Sequence, residues 1–226
     1  MLQWPVPASD SYNIYSHHME TRQKINTSNE LLDRALLGLS MKGDVYQMKV
    51  LLGKGADVHA QNDHALRLAA ENGRLEAVEL LLDRGADIHS QDDCALRWAS
   101  FAGHLDVVRL LIDRGADIRA QSDYALLWAS LNGHPEVARL LLDGGAGMFA
   151  ENSRALRESA ANGRSDVTML LLEYGADLEV GIEAARAAGN GSMLDLLNQI
   201  KLSCKESWEL SIEVPMPGRA DQRIRM

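Results

Sequence analysis

The sequence predicts an all-α fold, a solenoid of about six stacked helix-turn-helix units with abbreviated loops between them. Three observations carry that expectation. Ala35, Ala65, Ala95, Ala125 and Ala155 recur every 30 residues, and each is followed by Leu. Gly43, Gly73, Gly103, Gly133 and Gly163 keep the same step, and Gly55, Gly85, Gly115, Gly145 and Gly175 close each unit. Between the glycines, apolar residues fall at helical spacing.

Residues 1–26 show no period and are rich in polar residues and proline, so a flexible leading tail is expected before an array spanning 27–202. The first unit, near 33–62, is less regular than the rest, as a starting layer would be. In the second, 63–92, Asp63 is placed to cap a short helix running to about Asn72, with Ala65, Leu66, Ala69 and Ala70 on one face. Small residues there allow a neighbouring helix to approach at the low end of the roughly 8–10 Å interaxial range. Gly73 ends this helix. A second begins near Leu75, turns Val78, Leu81 and Leu82 toward the first, and stops at Gly85, where the chain can take up a left-handed backbone. Ala86 to Asp92 is too short for a helix and is expected to form a tight turn or projecting loop.

Units near 93–122, 123–152 and 153–180 repeat this plan, with Pro135 in a first helical turn where its missing N–H matters little. The stretch "GIEAARAAGNGSMLDLLNQI" reads as a capping unit over 181–202 with Ile182 and Ala185 inward, and residues 203–226 as a flexible C-terminal tail. Helices of about nine residues are marginal alone, so stacking has to stabilise them.

Composition narrows the function. Lys plus Arg number 23 against 32 Asp plus Glu, a net charge of -9 that repels phosphate backbones and anionic lipid, so neither nucleic acid nor a membrane is expected as partner. No apolar run approaches the roughly 20 residues that span a bilayer, and "MLQWPVPASD" lacks the features of a signal peptide. Cys94 and Cys204 lie far apart without metal or redox spacing, which fits a reducing compartment. The expectation is a soluble, cytoplasmic monomer.

The segment "ALRLAAENGRLEAVELLLDRGADIHS" resembles the second half of an ankyrin repeat, and the resemblance covers about residues 31–200. The usual unit has 33 residues and opens its first helix with Thr-Pro-Leu-His. Here the period is 30 and the tetrapeptide reads His64-Ala65-Leu66-Arg67 or Cys94-Ala95-Leu96-Arg97, so the hairpin finger is expected to be shortened and Asp63, Asp93, Asp123 and Ser153 to supply the caps. This short form is similar to arrays in amoeba-infecting giant viruses and some microbes, which would place it in a host cell's cytoplasm if viral. The resemblance implies a non-enzymatic module that grips a partner protein with its loop tips and the concave face of its first helices. An alternative is an adaptor or effector whose tails recruit an enzyme or modification machinery.

No catalytic constellation or cofactor site emerges from the register. His59 and His89 occupy equivalent positions one layer apart, roughly 10 Å, too far to share a metal ion. "GGAG" at 144–147 lacks the Lys-Ser or Lys-Thr of a phosphate loop. His104 and His134 follow the inter-helix glycine and are expected to support the turn. Partner recognition is expected where the copies differ: Glu71, Asn72, Phe101, Ala102, Leu131 and Asn132 near the ends of first helices, Tyr124 beside them, and a loop strip of His59, His89, Arg119 and Phe149. Phe101 and Leu131 are expected to be exposed, as hot-spot residues are when unbound. Trp98 and Trp128 are expected to face inward and fill the space left by the shorter hairpin.

Overall fold

Paired short helices build the fold in a computed structural model that describes residues 29–147 and 151–212, with side chains described for 29–147 and 154–203. The leading tail with Trp4, His17 and His18, the loop residue Phe149, and residues 213–226 lie outside the described residues, as do the side chains of Cys204 and Trp208. In chain order the helices are α1 (29–42), α2 (Val45–Gly53), α3 (Ala60–Glu71), α4 (Leu75–Asp83), α5 (Ser90–Ala102) and α6 (Leu105–Asp113). They continue as α7 (Ala120–Asn132), α8 (Pro135–Asp143), α9 (Glu151–Ala161), α10 (Ser165–Glu173), α11 (Leu178–Ala187) and α12 (Gly191–Ile212). No strand occurs among the described residues, so the chain is an all-α helical-repeat solenoid.

The helices gather into two units, one reaching through Ala129 and including Glu136–Ala146, the other comprising Ser130–Pro135 and the chain from Gly147 onward. In the first, α3 packs on α4 and α5, α5 on α6, and α4 on both α2 and α6. Leu66, Leu96 and Leu126 are buried at one repeat position and Leu81, Leu111 and Leu141 at another. Each such side chain contributes about 1.5–3 kcal/mol by leaving water. In the second unit α9 packs on α10 and α11, and α11 on α12, around Ala160, Ile182, Ala185, Met193 and Leu197. The final helix runs on to Ile212, so the tail expected from residue 203 is helical as far as that residue.

A polar pair replaces an apolar one in the second unit. Thr168 stands where the other copies have Val78, Val108 and Ala138, and it is fully buried. Its hydroxyl donates to Ser159 Oγ at 3.0 Å, and Ser159 stands where the other copies have Ala69, Ala99 and Ala129. Two polar residues on the packed helices α9 and α10 therefore satisfy each other. That is the condition for burying either.

The start of the first helices differs from expectation. Asp63 and Asp93 make no cap to their own helices, because Gln61, Asn62 and Asp63, and likewise Gln91, Asp92 and Asp93, form a left-handed turn with φ between 54° and 59°. Such a backbone disfavours residues with bulky side chains and is best tolerated by Asn and Asp. Each of these carboxylates reaches forward to the loop of the next layer, as does that of Asp33, which lies within α1 and has no such turn. Asp57 N–H donates to Asp33 Oδ1 at 2.7 Å, Asp87 N–H to Asp63 Oδ1 at 2.9 Å, and Asp117 N–H to Asp93 Oδ1 at 2.8 Å. The aspartates are latches between layers. The equivalent of Asp117 in the next copy is Gly147, and there Asp123 Oδ1 is buried without a hydrogen-bond partner.

Candidate interaction surface

The inner helices α3, α5 and α7 determine the geometry of the first unit's outer face, since residues three and four apart on a helix are neighbours. On α5 the face carries Cys94, Arg97, Trp98 and Phe101; on α3 it carries His64, Arg67 and Glu71; on α7, Tyr124 and Trp128. Trp98 and Trp128 are half-buried, which corrects their expected place in the core. Their ring centroids are 6.0 Å apart, and the ring of Phe101 stands edge-on to both, 5.5 Å from Trp98 and 4.9 Å from Trp128. Each of these contacts contributes about 0.5–1.5 kcal/mol beyond the area it buries. Phe101 is therefore held in a cluster and half-buried, not freely exposed as expected.

Two clefts adjoin this cluster and share Trp98. One, of about 50 Å³, is walled by Arg97, Trp98, Phe101 and Trp128. The other, of about 200 Å³, is lined by Gln61, Asn62, His64, Arg67, Gln91, Cys94 and Trp98. Arg67 lies over the Trp98 ring, 5.7 Å from its centroid, and its guanidinium also meets His64 Nε2 and, at 3.7 Å, Glu71. Burial, with the Arg67 charge adding to it, pushes the His64 imidazole below its ordinary range, so it is neutral at pH 7. Burial pushes the Cys94 thiol up against the opposing effect of Arg97 and Arg67, which keeps it protonated.

The other expected site residues fall as follows. Glu71, Asn72, Ala102, Tyr124, Leu131 and Asn132 are half-buried. Asn72 donates its side-chain amide to Leu68 O at 2.8 Å, so part of it ends its own helix. Leu131 and Asn132, at the end of α7, belong to the second unit, where Arg164 Nε donates to Leu131 O at 3.1 Å. His104 Nε2 donates to Glu71 O at 3.1 Å, and Arg74 Nε donates to Met41 O at 3.1 Å, so these two residues, each following an inter-helix glycine, tie back to the preceding layer and satisfy a helix-end carbonyl. In the loop strip, His59 and His89 are more than half exposed, and each is held by its Nδ1, at 3.0 and 3.1 Å, to Asp63 and Asp93. Arg119 replaces them in the next copy and instead donates twice to Gly145 O, at 3.0 and 2.8 Å.

Sequence reasoning placed Trp98 and Trp128 inward and did not single out Arg67 and Arg97, all four of which line these clefts. The signal was present for Arg97 and Trp98, which precede Phe101 by four and three positions and so share its helical face.

Comparison with protein families finds that the description "Ankyrin repeats (3 copies)" matches residues 36–122 and that "Ankyrin repeat" matches residues 121–153. Comparison with curated proteins finds no match. Beyond residue 153 the same tie between layers recurs, with Asn190 Nδ2 donating to Ala161 O at 3.4 Å.

Proposed function

The chain belongs to the ankyrin-repeat family, whose repeats are in general protein-interaction modules, and from that membership we propose that it is a non-catalytic binding module holding a partner protein. The surface engaged is the inner-helix face of the first unit, centred on Trp98, Phe101 and Trp128, with the loop tips at His59, His89 and Arg119 at its edge. One observation carries this reading. Buried positions repeat almost unchanged from copy to copy, as Leu66, Leu96 and Leu126 do, whereas the cleft-lining positions change from Leu68 to Trp98 and Trp128 and from Glu71 to Phe101. Large aromatics that line a cleft and remain half open are the residue types that supply most binding energy at interfaces.

The chain acts in this reading as a soluble monomer in a reducing compartment, which the free, buried thiol of Cys94 supports. Affinity capture with the wild-type chain and with a Trp98→Asp, Phe101→Asp double variant tests it, the fold of each checked by circular dichroism. A partner retained by the wild type and lost by the variant is expected. Identical partner sets with an intact fold would refute the surface.

A further inference from the structure

The first layer, α1 and α2, reveals which side chains of a repeat face backward along the stack. Leu36, Ser40 and Met48 are buried there, as Leu66, Ala70 and Val78 are at the same positions one layer on. Ala35 and Gln47 are exposed and Leu39 and Leu51 half-buried, although Ala65, Ala77, Ala69 and Leu81 at those repeat positions are all buried. The first set is covered by the layer that follows. The second set is covered, in later copies of the same unit, by the layer before, and among the described residues no layer precedes α1.

A terminal layer ordinarily turns a polar face to water. This one departs from that rule. Of the four backward-facing residues only Gln47 is polar, and Leu39 is larger than the Ala69, Ala99 and Ala129 that stand at its position further on. One turn earlier in α1, Leu31 is 69% exposed where later copies have Gln61, Gln91 and Gln121, and Leu32 replaces Asn62, Asp92 and Ser122. Leu32, Ala35 and Leu39 are spaced by three and four residues, and Leu31 precedes Ala35 by four, so all four share one side of α1. An apolar stripe thus lies open at the very place where the repeat pattern demands a cover.

The size of the face bears on what covers it. Helices of these lengths, at about 1.5 Å per residue, are about 14–21 Å long, and two of them about 10 Å apart present roughly 400 Å². That is about half of the roughly 800 Å² that each partner contributes to a stable interface between separate chains. A segment already joined to α1 needs no such area, because the tether raises its effective concentration to the millimolar range. Residues 1–28 are joined there, at Asn29, two positions before Leu31. Their apolar residues cluster most closely at Tyr12, Ile14 and Tyr15. The stretch from Tyr15 to Asn29 can reach about 45 Å when extended, more than the length of the face.

Going beyond the interaction surface on α5 and α7, we propose that residues 1–28 cover this end of the array, with Tyr12, Ile14 and Tyr15 against Leu31, Leu32, Ala35, Leu39 and Leu51. Hydrogen exchange followed by mass spectrometry tests it on the full-length chain. The wild type is compared with a Tyr12→Ser, Ile14→Ser, Tyr15→Ser variant and with a Leu31→Gln, Leu32→Asn variant, which installs the residues of the second copy. In both variants residues 11–16 are expected to lose protection and α1 and α2 to exchange about tenfold faster, with α5 and α6 unchanged. Residues 11–16 exchanging in the wild type as fast as an unstructured peptide would overturn the proposal. Unchanged rates in α1 and α2 when the segment's three apolar residues are replaced would overturn it equally, since that variant leaves the face itself intact. Protection of α1 and α2 that rises with protein concentration, together with a dimer in sedimentation, would replace the segment by a second copy of the chain. None of these outcomes bears on the aromatic cluster of Trp98, Phe101 and Trp128.

Discussion

Asp93 and Asp123 occupy the same repeat position, share a left-handed backbone with φ of 55° and 56°, and differ in what their carboxylates meet. Asp93 Oδ1 accepts from Asp117 N–H at 2.8 Å and from His89 Nδ1 at 3.1 Å, whereas Asp123 Oδ1 is buried with no partner. Replacing each with alanine imposes the same backbone penalty, about 1 kcal/mol or somewhat more, because alanine tolerates this conformation poorly. That term cancels in the comparison. Losing a hydrogen bond from a backbone N–H to a carboxylate costs about 1.5–3 kcal/mol, and the contact with the exposed His89 adds about 0–1 kcal/mol. Removing an unsatisfied acceptor at Asp123 offsets part of the alanine penalty there. Asp93→Ala is therefore expected to be less stable than Asp123→Ala by about 2–3 kcal/mol, a factor of about 30 to 160 in the folding equilibrium. Urea unfolding followed by far-ultraviolet circular dichroism measures it, with the slope checked for constancy across variants. Equal losses in the two variants would show that the aspartates act through the turn alone and that the latch between layers contributes nothing.

Three other outcomes follow from the packing. Ser159→Ala, which strands the buried Thr168 hydroxyl, is expected to cost about 1–3 kcal/mol, and adding Thr168→Val to recover most of it; additivity in a double-mutant cycle would argue against their coupling. Gly73→Ala is expected to destabilise more than Gly85→Ala, because both have positive φ but a Cβ at Gly73 would lie 2.6 Å from His104 Nδ1 while the one at Gly85 meets open space. Thermal melts of the two variants should separate, and His104→Ala in the Gly73→Ala background should narrow the gap. Because burial raises the Cys94 thiol's pKa, less thiolate is present at any pH near 8, so in a Cys204→Ser background alkylation by iodoacetamide is expected to be slower than for an unfolded control and to recover in urea. A rate equal to the control's would place that thiol in the open.

The layers were legible before any coordinates. The 30-residue step of Ala-Leu and Gly encodes where helices begin to pack and where they end, because helical spacing and the left-handed tolerance of glycine are properties of a few adjacent residues. Arg97 and Trp98 could have been assigned to the face of Phe101 from helical spacing as well. The aspartates could not. Asp63 and Asp93 have the sequence context of helix caps, and only the stacking of the next layer brings the Asp87 and Asp117 backbones, 24 residues on, against their carboxylates. Whether Trp98 and Trp128 filled the core or walled a cleft was likewise decided by neighbouring helices, since a periodic aromatic position looks the same in sequence whichever side of the layer it occupies. Local patterns set the repeat and its apolar stripe; the direction of a polar side chain and the openness of a large ring depend on what the next layer brings against them, and that contact exists only once the layers are stacked.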